Sequence, residues 1–445
     1  MIREASLSAC FYSIFLLTLF AGVVFYDLTG FQSADEICGL LLLVLFLYTM
    51  FRANDWPINR LFLLTLGIFF FYTCYSFSIH SNSAKAIGLD LIIQMKPYLA
   101  FFCAYQLMPV FSESQKKILK DLCLLCWFLF LPLGIAGFVD IHVFKPIIGH
   151  PSNYAAVVSC LALTYLYCGK QTLREKIIFL VMLSAGIASG RSKFYGFFIW
   201  AAFLVFYMGK AENLRVNLRN IVLALLLLAV VFVIARHKIE FYFLQGIGEN
   251  AEDKDNIARF VLYATSFLLF ADYFPFGTGL ASFGTHASAV YYSDIYPRYQ
   301  IDSIWGLSKS YGKFITDTYY PSLAQFGVTG VALFVLFWIY VLRKSVSYSK
   351  KSGDSRLFVI TGLIAGYLLI ENIADASFTS NRGFFMMIFL GLVAAGQKRV
   401  ANAETDKAGN TELDKAGSAE PNKTNNAELN KASNTETDKA STVCG

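Results

Sequence analysis

Arg191 and Lys193 are the first residues that suggest chemistry, because they lie between two apolar stretches in residues 188–198, ASGRSKFYGFF. A charged side chain at the centre of a membrane-spanning helix costs about 2.5 to 3.5 kcal/mol on insertion scales, so it usually snorkels, pairs or takes part in function. Snorkelling or structural pairing is the simple explanation of the two cations, and a functional role is the other.

A second concentration of polar and aromatic residues follows further along the chain. Residues 258–274, ARFVLYATSFLLFADYF, predict an apolar helix too short to span a membrane, and the glycine-rich segment PFGTGLASFGTH follows it. Aromatic side chains then alternate with charged ones, and the candidates among them are Arg298, Asp317, Tyr319 and Tyr320. This composition suits sugar binding, but an aromatic belt at a membrane interface has the same composition.

The histidines and cysteines predict no metal site, and we expect no cofactor. The five histidines, at positions 80, 142, 150, 237 and 286, lack the spacing of metal ligands. Cys123 and Cys126 have the spacing of a redox motif, but they lie inside an apolar stretch without an accompanying histidine, which favours small core residues.

The elements that must position these residues are membrane helices. The chain has 445 residues, of which 56% are hydrophobic and 15% charged, against roughly 45–50% and 25% in soluble domains. Since every backbone polar group must be satisfied in lipid, the apolar stretches predict an all-α polytopic protein. We predict twelve spans, at residues 7–26, 37–51, 61–79, 89–111, 118–139, 152–168, 176–189, 194–208, 220–235, 322–342, 357–372 and 383–396.

The placement of Lys and Arg predicts the orientation of these spans. Cations collect in the loops around residues 52–60, 116–120, 170–176, 210–219 and 343–356, which the positive-inside rule assigns to the cytoplasm. Both termini are then cytoplasmic, and the long segment 236–321 lies outside as one large structured loop. Arg191, Lys193 and Lys96 fall on the outer side, where this rule disfavours cations.

The C-terminal segment is a separate region. From Asn402 the chain repeats an octapeptide, as in NAETDKAG and NTELDKAG, that has almost nothing apolar to bury. Such a composition predicts disorder. We therefore divide the chain into a membrane body at 1–396 and a disordered cytoplasmic tail at 397–445, and we expect no catalytic role for the tail.

Three segments together resemble the signature regions of the O-antigen polymerase and O-antigen ligase superfamily. They are LSAGIASGRSKFYGFF from Leu183, RFVLYATSFLLFADYFPFGTGLASF from Arg259, and DTYYPSLAQFGVTGVALFVLF from Asp317. The resemblance covers about residues 150–345. It implies a bacterial inner-membrane glycosyltransferase that uses glycans carried on undecaprenyl diphosphate, acts at the periplasmic face, and inverts the configuration of the sugar without a metal.

The resemblance also implies roles for individual residues. Arg191 and Arg259 would stabilise the diphosphate leaving group by bidentate hydrogen bonds, and Lys96 lies where the family often carries a basic residue. Asp317 lies where the ligases carry His, so it could orient or deprotonate the acceptor hydroxyl. The alternative for Asp317 is the N-cap of a helix that begins near Pro321, or a solvated loop carboxylate.

Lys193, Arg298, Tyr319, Tyr320 and Arg382 are the further substrate-binding candidates. Because Asp replaces the ligase His, we expect a polymerase that joins repeat units into O-antigen, capsular or exopolysaccharide. The alternative is a ligase or oligosaccharyltransferase that moves glycan to lipid A-core or protein, and a flippase is a third class. The partners would be the lipid-linked donor and acceptor, with a chain-length regulator and a flippase as candidates in the same membrane, and no nucleic acid.

Overall fold

The computed structural model of the protein describes residues 4–30, 33–52, 59–209, 222 and 254–417. The predicted span 220–235, apart from residue 222, lies outside the described residues. So do the first part of the predicted outer loop, 236–253, and the last part of the predicted tail, 418–445.

The described residues form helices and contain no β-strand, which confirms the all-α class for this part of the chain. The longer helices are α1 (Glu4–Leu19), α2 (Ala34–Arg52), α3 (Arg60–Ser78), α4 (Ala84–Leu107), α5 (Glu113–Val139), α6 (Pro151–Cys168), α7 (Leu173–Ser184), α8 (Ser192–Phe203), α9 (Lys254–Asp272), α10 (Gly327–Ser352), α11 (Arg356–Glu371) and α12 (Asn381–Gly417). Short α-helices lie at Tyr26–Thr29, Phe144–Ile148, His286–Val290 and Ile295–Arg298, and 3₁₀ turns lie at Ile141–Val143, Ala185–Ser189, Tyr320–Phe326 and Ser377–Thr379.

Seven helical segments in the described part are long and apolar enough to cross a membrane. They are Ala5–Val24, Ala34–Arg52, Arg60–Ser78, Ala84–Leu107, Glu113–Val139, Tyr320–Ser352 and Asn381–Ala403. The protein is therefore a multi-pass membrane protein in its composition and architecture. The finer count of twelve spans stays a prediction.

Helices α7 and α8 are shorter and form a hairpin around the first candidate residues. Helix α7 continues as the 3₁₀ turn Ala185–Ser189, and Gly190 follows in the left-handed region at φ 64°. Arg191 is then the N-cap of α8. Gly186 lets this turn pack against α8, because a Cβ there would collide with the ring of Phe194. The hairpin therefore places Arg191 and Lys193 at a helix start.

The loops that are rich in cations contact one another at one end of the bundle. Lys120 forms an ion pair with Glu175, and the Gln171 amide donates to the Arg356 carbonyl at 3.0 Å. The grouping agrees with the sequence-based division of the loops between two sides. Which side faces the cytoplasm stays a prediction.

The described part of the long segment between α8 and α10 packs against the bundle through its glycine-rich portion, residues 275–285. The Leu280 amide donates to Ser76 Oγ and the Ala281 amide donates to Asp90 Oδ2, both at 2.8 Å. Asp90 is fully buried, so this hydrogen bond provides one of the partners that a buried carboxylate requires. Helices α3 and α4 thereby fix the start of the segment that carries Asp317.

Replacing Gly277 with Ala should destabilise the folded protein. Gly277 has φ 80°, and a Cβ there would collide with the backbone at Ala324 and Gly327. A residue forced into an incompatible backbone conformation costs more than about 1 kcal/mol. Thermal unfolding of the purified protein should show a lower midpoint for Gly277→Ala. Gly67→Ala is the matched control, since Gly67 lies in α3 with open space around it; equal midpoints for both variants would contradict the prediction.

The last helix, α12, continues beyond the predicted end of the membrane body at residue 396 and is helical as far as Gly417, the last described residue. Residues 397–417, for which the sequence predicted disorder, are therefore helical in the structure. The octapeptide is rich in Ala, Glu and Lys, which are strong helix formers, and a preceding helix removes the cost of nucleation.

Candidate functional site

Arg191 lies beside a histidine that the sequence did not single out. Its Nη2 atom is 2.6 Å from Nε2 of His150. His150 is the N-cap of α6, and its Nδ1 atom accepts a hydrogen bond from the Ser152 amide at 3.2 Å. The starts of α6 and α8 therefore meet at this point.

Lys193 and Arg382 belong to one ion-pair cluster. Lys193 Nζ lies 2.6 Å from Glu371 Oε2 and 3.5 Å from Asp375 Oδ2. Arg382 Nη1 lies 3.3 Å from the same Asp375 oxygen. Glu371 is the last residue of α11 and Arg382 is in the first turn of α12, so the cluster joins α8, α11 and α12.

Arg259 and Asp317 form an ion pair in which the guanidinium donates from Nε and Nη2 to Oδ2 of the carboxylate. Asp317 is not the cap of the 3₁₀ turn Tyr320–Phe326, since Tyr319 is the N-cap there and makes no side-chain capping bond. The Tyr263 hydroxyl, one turn after Arg259, donates to the Ile373 carbonyl at 2.8 Å. This hydrogen bond connects α9 to the connection between α11 and α12.

Lys96 forms an ion pair with Asp35, and its Nζ atom is 3.4 Å from Glu36 Oε1. The Asn381 amide, oriented with its nitrogen toward Asp35, donates to both carboxylate oxygens at 2.9 and 2.8 Å. Because Asn381 precedes Arg382, this group adjoins the ion-pair cluster. Lys96, like Lys193 and Arg382, is therefore engaged in an ion pair.

The charged groups are close enough to shift one another's ionisation. Burial opposes the ionisation of Asp375, but Arg382 and Lys193 outweigh it and hold the pKa of this carboxyl below its ordinary value. Burial raises the pKa of Asp317. Arg259 lowers it and offsets only part of this rise, and the negative charge of Asp375 raises it further. Partial desolvation and then Arg191 lower the pKa of His150 to about 4, so its ring is neutral at pH 7.

The N-termini of α6, α8 and α12 also lie beside these charged groups. Arg191 caps α8, His150 caps α6, and α12 starts at Asn381. Each N-terminus carries about half a positive charge from the aligned peptide dipoles. The cationic side chains and the helix ends together make a region that can bind an oxyanion.

The remaining predicted residues lie apart from the cluster or inside the protein. Arg298 Nη1 lies 2.6 Å from the Tyr273 hydroxyl on an exposed part of the outer segment. Tyr319 is buried and packs on Phe378, and the Tyr320 hydroxyl donates to the Leu369 carbonyl at 2.6 Å. Tyr319 and Tyr320 therefore pack inside the protein, and neither they nor Arg298 belong to the ion-pair cluster.

Sequence reasoning missed the acidic partners of the cluster and His150. Glu371 lies at the end of the predicted span 357–372, and Asp375 lies in the short polar connection that follows it, on the side assigned to the outer cations. Because these two carboxylates lie on the same side as the unexplained cations, they could have been predicted to be the counterions of those cations. No comparable signal marks His150.

A cavity of about 350 Å³ lies between α3, α4 and α10. Its lining is mostly apolar and aromatic, and includes Leu64, Leu336, Phe69, Gln94 and Tyr319. Leu64 and Leu336 are exposed on the surface of two candidate membrane helices, so the cavity opens on the apolar surface of the bundle. The Tyr319 amide donates to the Asn372 carbonyl at 3.3 Å, which connects this cavity to the segment that carries the ion-pair cluster.

No protein-family model matches the chain, and no curated protein matches it either. The class of protein that the fold and the site define is a multi-pass α-helical membrane protein with a cluster of cations and carboxylates at the helix ends.

Proposed function

We propose that the protein is a polysaccharide polymerase that joins oligosaccharide repeat units carried on undecaprenyl diphosphate, by inverting glycosyl transfer without a metal. The observation that carries this proposal is the meeting of Arg191, Lys193 and Arg382 at converging helix N-termini, with Arg259 and Asp317 beside them. The proposed place of reaction is the periplasmic face of a bacterial inner membrane.

A cationic site suits a diphosphate leaving group. Negative charge develops on the diphosphate oxygen as its bond to the sugar breaks, and guanidinium groups stabilise such charge through paired hydrogen bonds. Lys193 and Arg382 share Asp375, so part of their charge is already neutralised, while the helix starts at Arg191 and His150 add partial positive charge.

Asp317 is the group suited to act on the acceptor. In the proposed step it takes the proton from a hydroxyl of one sugar while that oxygen bonds to the anomeric carbon of the other. The bond from this carbon to the diphosphate oxygen breaks on the opposite face, and the diphosphate leaves with the electron pair. The raised pKa of Asp317 makes its carboxylate a stronger base than an ordinary aspartate.

The cavity between α3, α4 and α10 supports a lipid-linked substrate. Its apolar lining and its opening on the apolar surface of the bundle suit an isoprenoid chain, and Tyr319 joins it to the ion-pair cluster through Asn372. A volume of about 350 Å³ lies within the usual range for small-ligand sites, about 300 to 1,000 Å³. It would hold part of such a chain, with the rest in the bilayer.

The test is the size of the lipid-linked glycan that accumulates when the gene is deleted. A polymerase predicts that only single repeat units reach the lipid core, since a separate ligase still attaches them. A bare core with polymer accumulating on undecaprenyl diphosphate would identify a ligase instead. Single units that remain on the cytoplasmic side would identify a flippase, and normal polymer would refute all three.

The rate of chain extension should fall at acidic pH in the wild-type protein. Asp317 must be ionised to accept a proton. Burial and the negative charge of Asp375 raise its pKa from the ordinary value of 3.8, although Arg259 and Lys193 lower it in part. The active fraction is therefore complete at high pH and is lost as the pH falls through this raised pKa. The measurement is the initial rate of extension against pH with purified lipid-linked units. An acid limb at or below pH 3.8 would contradict this assignment.

A further inference from the structure

Trp305 is a large aromatic residue at the surface of the outer segment. It is 51% exposed, whereas tryptophan is highly buried on average in folded proteins. One side of its ring is covered by Tyr311, because the two ring centroids lie 4.5 Å apart with an angle of 37° between the ring planes. The exposed surface of Trp305 therefore includes the opposite face of the indole.

The loop that carries Trp305 is held by its own contacts. Phe314 is buried, and its amide donates to the Gly306 carbonyl at 3.0 Å. The Tyr311 amide donates to the Ser308 carbonyl at 3.2 Å. Gly306 has φ 85°, and a Cβ there would collide with the ring of Phe314. The aromatic pair is thus fixed before a ligand arrives, which lowers the cost of ordering it on binding.

The same loop leads to Asp317, the proposed base. The ring of Phe314 packs edge-on against Tyr311, with the centroids 6.2 Å apart, and the Asp317 amide donates to the Phe314 carbonyl at 3.1 Å. Trp305, Tyr311 and Phe314 therefore form a continuous row of rings from the surface to the residue that holds the Asp317 backbone. A substrate that places a hydroxyl at Asp317 can extend along this row.

Polar side chains lie in the same loop as the aromatic pair. Ser303, Lys309 and Ser310 are exposed, and Ser308 Oγ lies 3.3 Å from Ser310 Oγ. Hydroxyl and ammonium groups supply the donors and acceptors that sugar hydroxyls require. The face of an aromatic ring carries partial negative charge, so it attracts the C–H groups on one face of a sugar ring. Aromatic surface with a few polar groups is typical of a small-ligand site.

We propose that Trp305 and Tyr311 form a saccharide-binding subsite, in which a sugar ring of the acceptor stacks on the exposed face of Trp305. This inference rests on the proposed function for its ligand, the glycan of the lipid-linked acceptor, and it adds a subsite outside the ion-pair cluster. The acceptor is assigned because the loop ends at Asp317, which acts on the acceptor hydroxyl. The cations that suit the donor diphosphate lie instead at the starts of α8 and α12.

An anchor in the membrane interface is the other role that an exposed tryptophan can have. Two substitutions distinguish the roles. Trp305→Phe keeps an aromatic face, whereas Trp305→Leu keeps an apolar side chain without one. Neither variant has the polar N–H of the indole, so an anchor predicts similar effects of both. Sugar stacking predicts that Leu is the damaging change and that Phe is tolerated.

The binding experiment uses isothermal titration calorimetry on the full-length protein in nanodiscs. The probe is the free oligosaccharide released by mild acid from the undecaprenyl diphosphate-linked glycans of the cell, which carries neither lipid nor diphosphate. Trp305→Leu should bind it about 10-fold more weakly than the wild type, and Trp305→Phe should retain most of the affinity. Tyr291→Leu is the matched control, since Tyr291 is an exposed aromatic residue of the same outer segment, and it should bind as the wild type does.

A kinetic experiment distinguishes the acceptor from the donor. Single lipid-linked units are varied as the acceptor against a fixed lipid-linked polymer as the donor, and then the reverse. Trp305→Leu should raise the KM for the acceptor about 10-fold and leave kcat nearly unchanged, because the substitution removes a binding contact and keeps Asp317. A rise in the KM for the donor alone would overturn the assignment to the acceptor.

Wild-type affinity in Trp305→Leu would overturn the proposal, as would failure of the wild-type protein to bind the oligosaccharide. Equal losses in Trp305→Phe and Trp305→Leu would identify an anchor, and a loss that accompanies a lower unfolding temperature in Trp305→Leu would identify a structural role. Oligosaccharide binding that depends on Trp305, in a protein whose deletion leaves polymer normal, would reject the polymerase and retain a saccharide site. Absent binding in a protein whose deletion leaves only single units would reject this site and retain the polymerase.

Discussion

Asp317→Asn should reduce chain extension by about 10² to 10⁴-fold, the usual contribution of general-base catalysis. The amide keeps the shape of the carboxylate and can accept a hydrogen bond from Arg259, but it cannot take a proton from the acceptor hydroxyl. The measurement is the length distribution of lipid-linked glycan formed by purified protein from single repeat units. Binding of the lipid-linked donor should be nearly unchanged, because the variant removes the base and keeps the cations.

Asp302→Asn is the matched control, since Asp302 is an exposed aspartate of the same outer segment. It should leave the chain lengths as in the wild type. Wild-type chain lengths in Asp317→Asn would reduce the Arg259–Asp317 ion pair to a structural contact between α9 and the segment before α10.

Arg191→Ala should abolish most of the activity, and Arg191→Lys should restore little of it. The guanidinium reaches two oxygens in a fixed planar geometry, whereas an ammonium group is a point charge. Loss of one such donor from a transition state costs about 10² to 10³-fold in rate. The rate of polymer formation at matched protein levels measures the effect.

Arg174→Ala is the control for Arg191, because Arg174 is an exposed arginine in a cation-rich loop at the other end of the bundle. Normal polymer from Arg191→Ala, with normal amounts of protein in the membrane, would leave this arginine a structural role only. Equal losses in both variants would point to a general effect of charge on insertion.

Hydropathy alone located much of the helical framework. The predicted spans 61–79 and 152–168 agree closely with α3 and α6, because their apolar stretches end at polar or helix-capping residues. The predicted span 118–139 begins too late. Helix α5 starts at Glu113, where a capping box between Ser112 and Gln115 begins a polar first turn that hydropathy does not register.

The candidate site was predicted only in part. Arg191 and Lys193 were marked by their position on the side where cations are disfavoured, and Arg382 was a further candidate; the structure brings the three into one region. Their partners could not be assigned, because the Lys193–Glu371 and Arg191–His150 contacts join distant parts of the chain. Such pairing depends on how helices pack, and a single sequence does not record it.

The ion pair between Lys193 and the acidic residues at the end of α11 also has a consequence for biogenesis. Lys193 and the Ala374 carbonyl that it contacts are 181 residues apart in the chain. At about 5 to 20 residues per second, a ribosome needs roughly 10 to 40 s to synthesise the intervening segment. During that interval α8 has left the ribosome with a lysine whose counterions do not yet exist. A nascent chain that stops before Glu371 therefore carries Lys193 without either of these counterions.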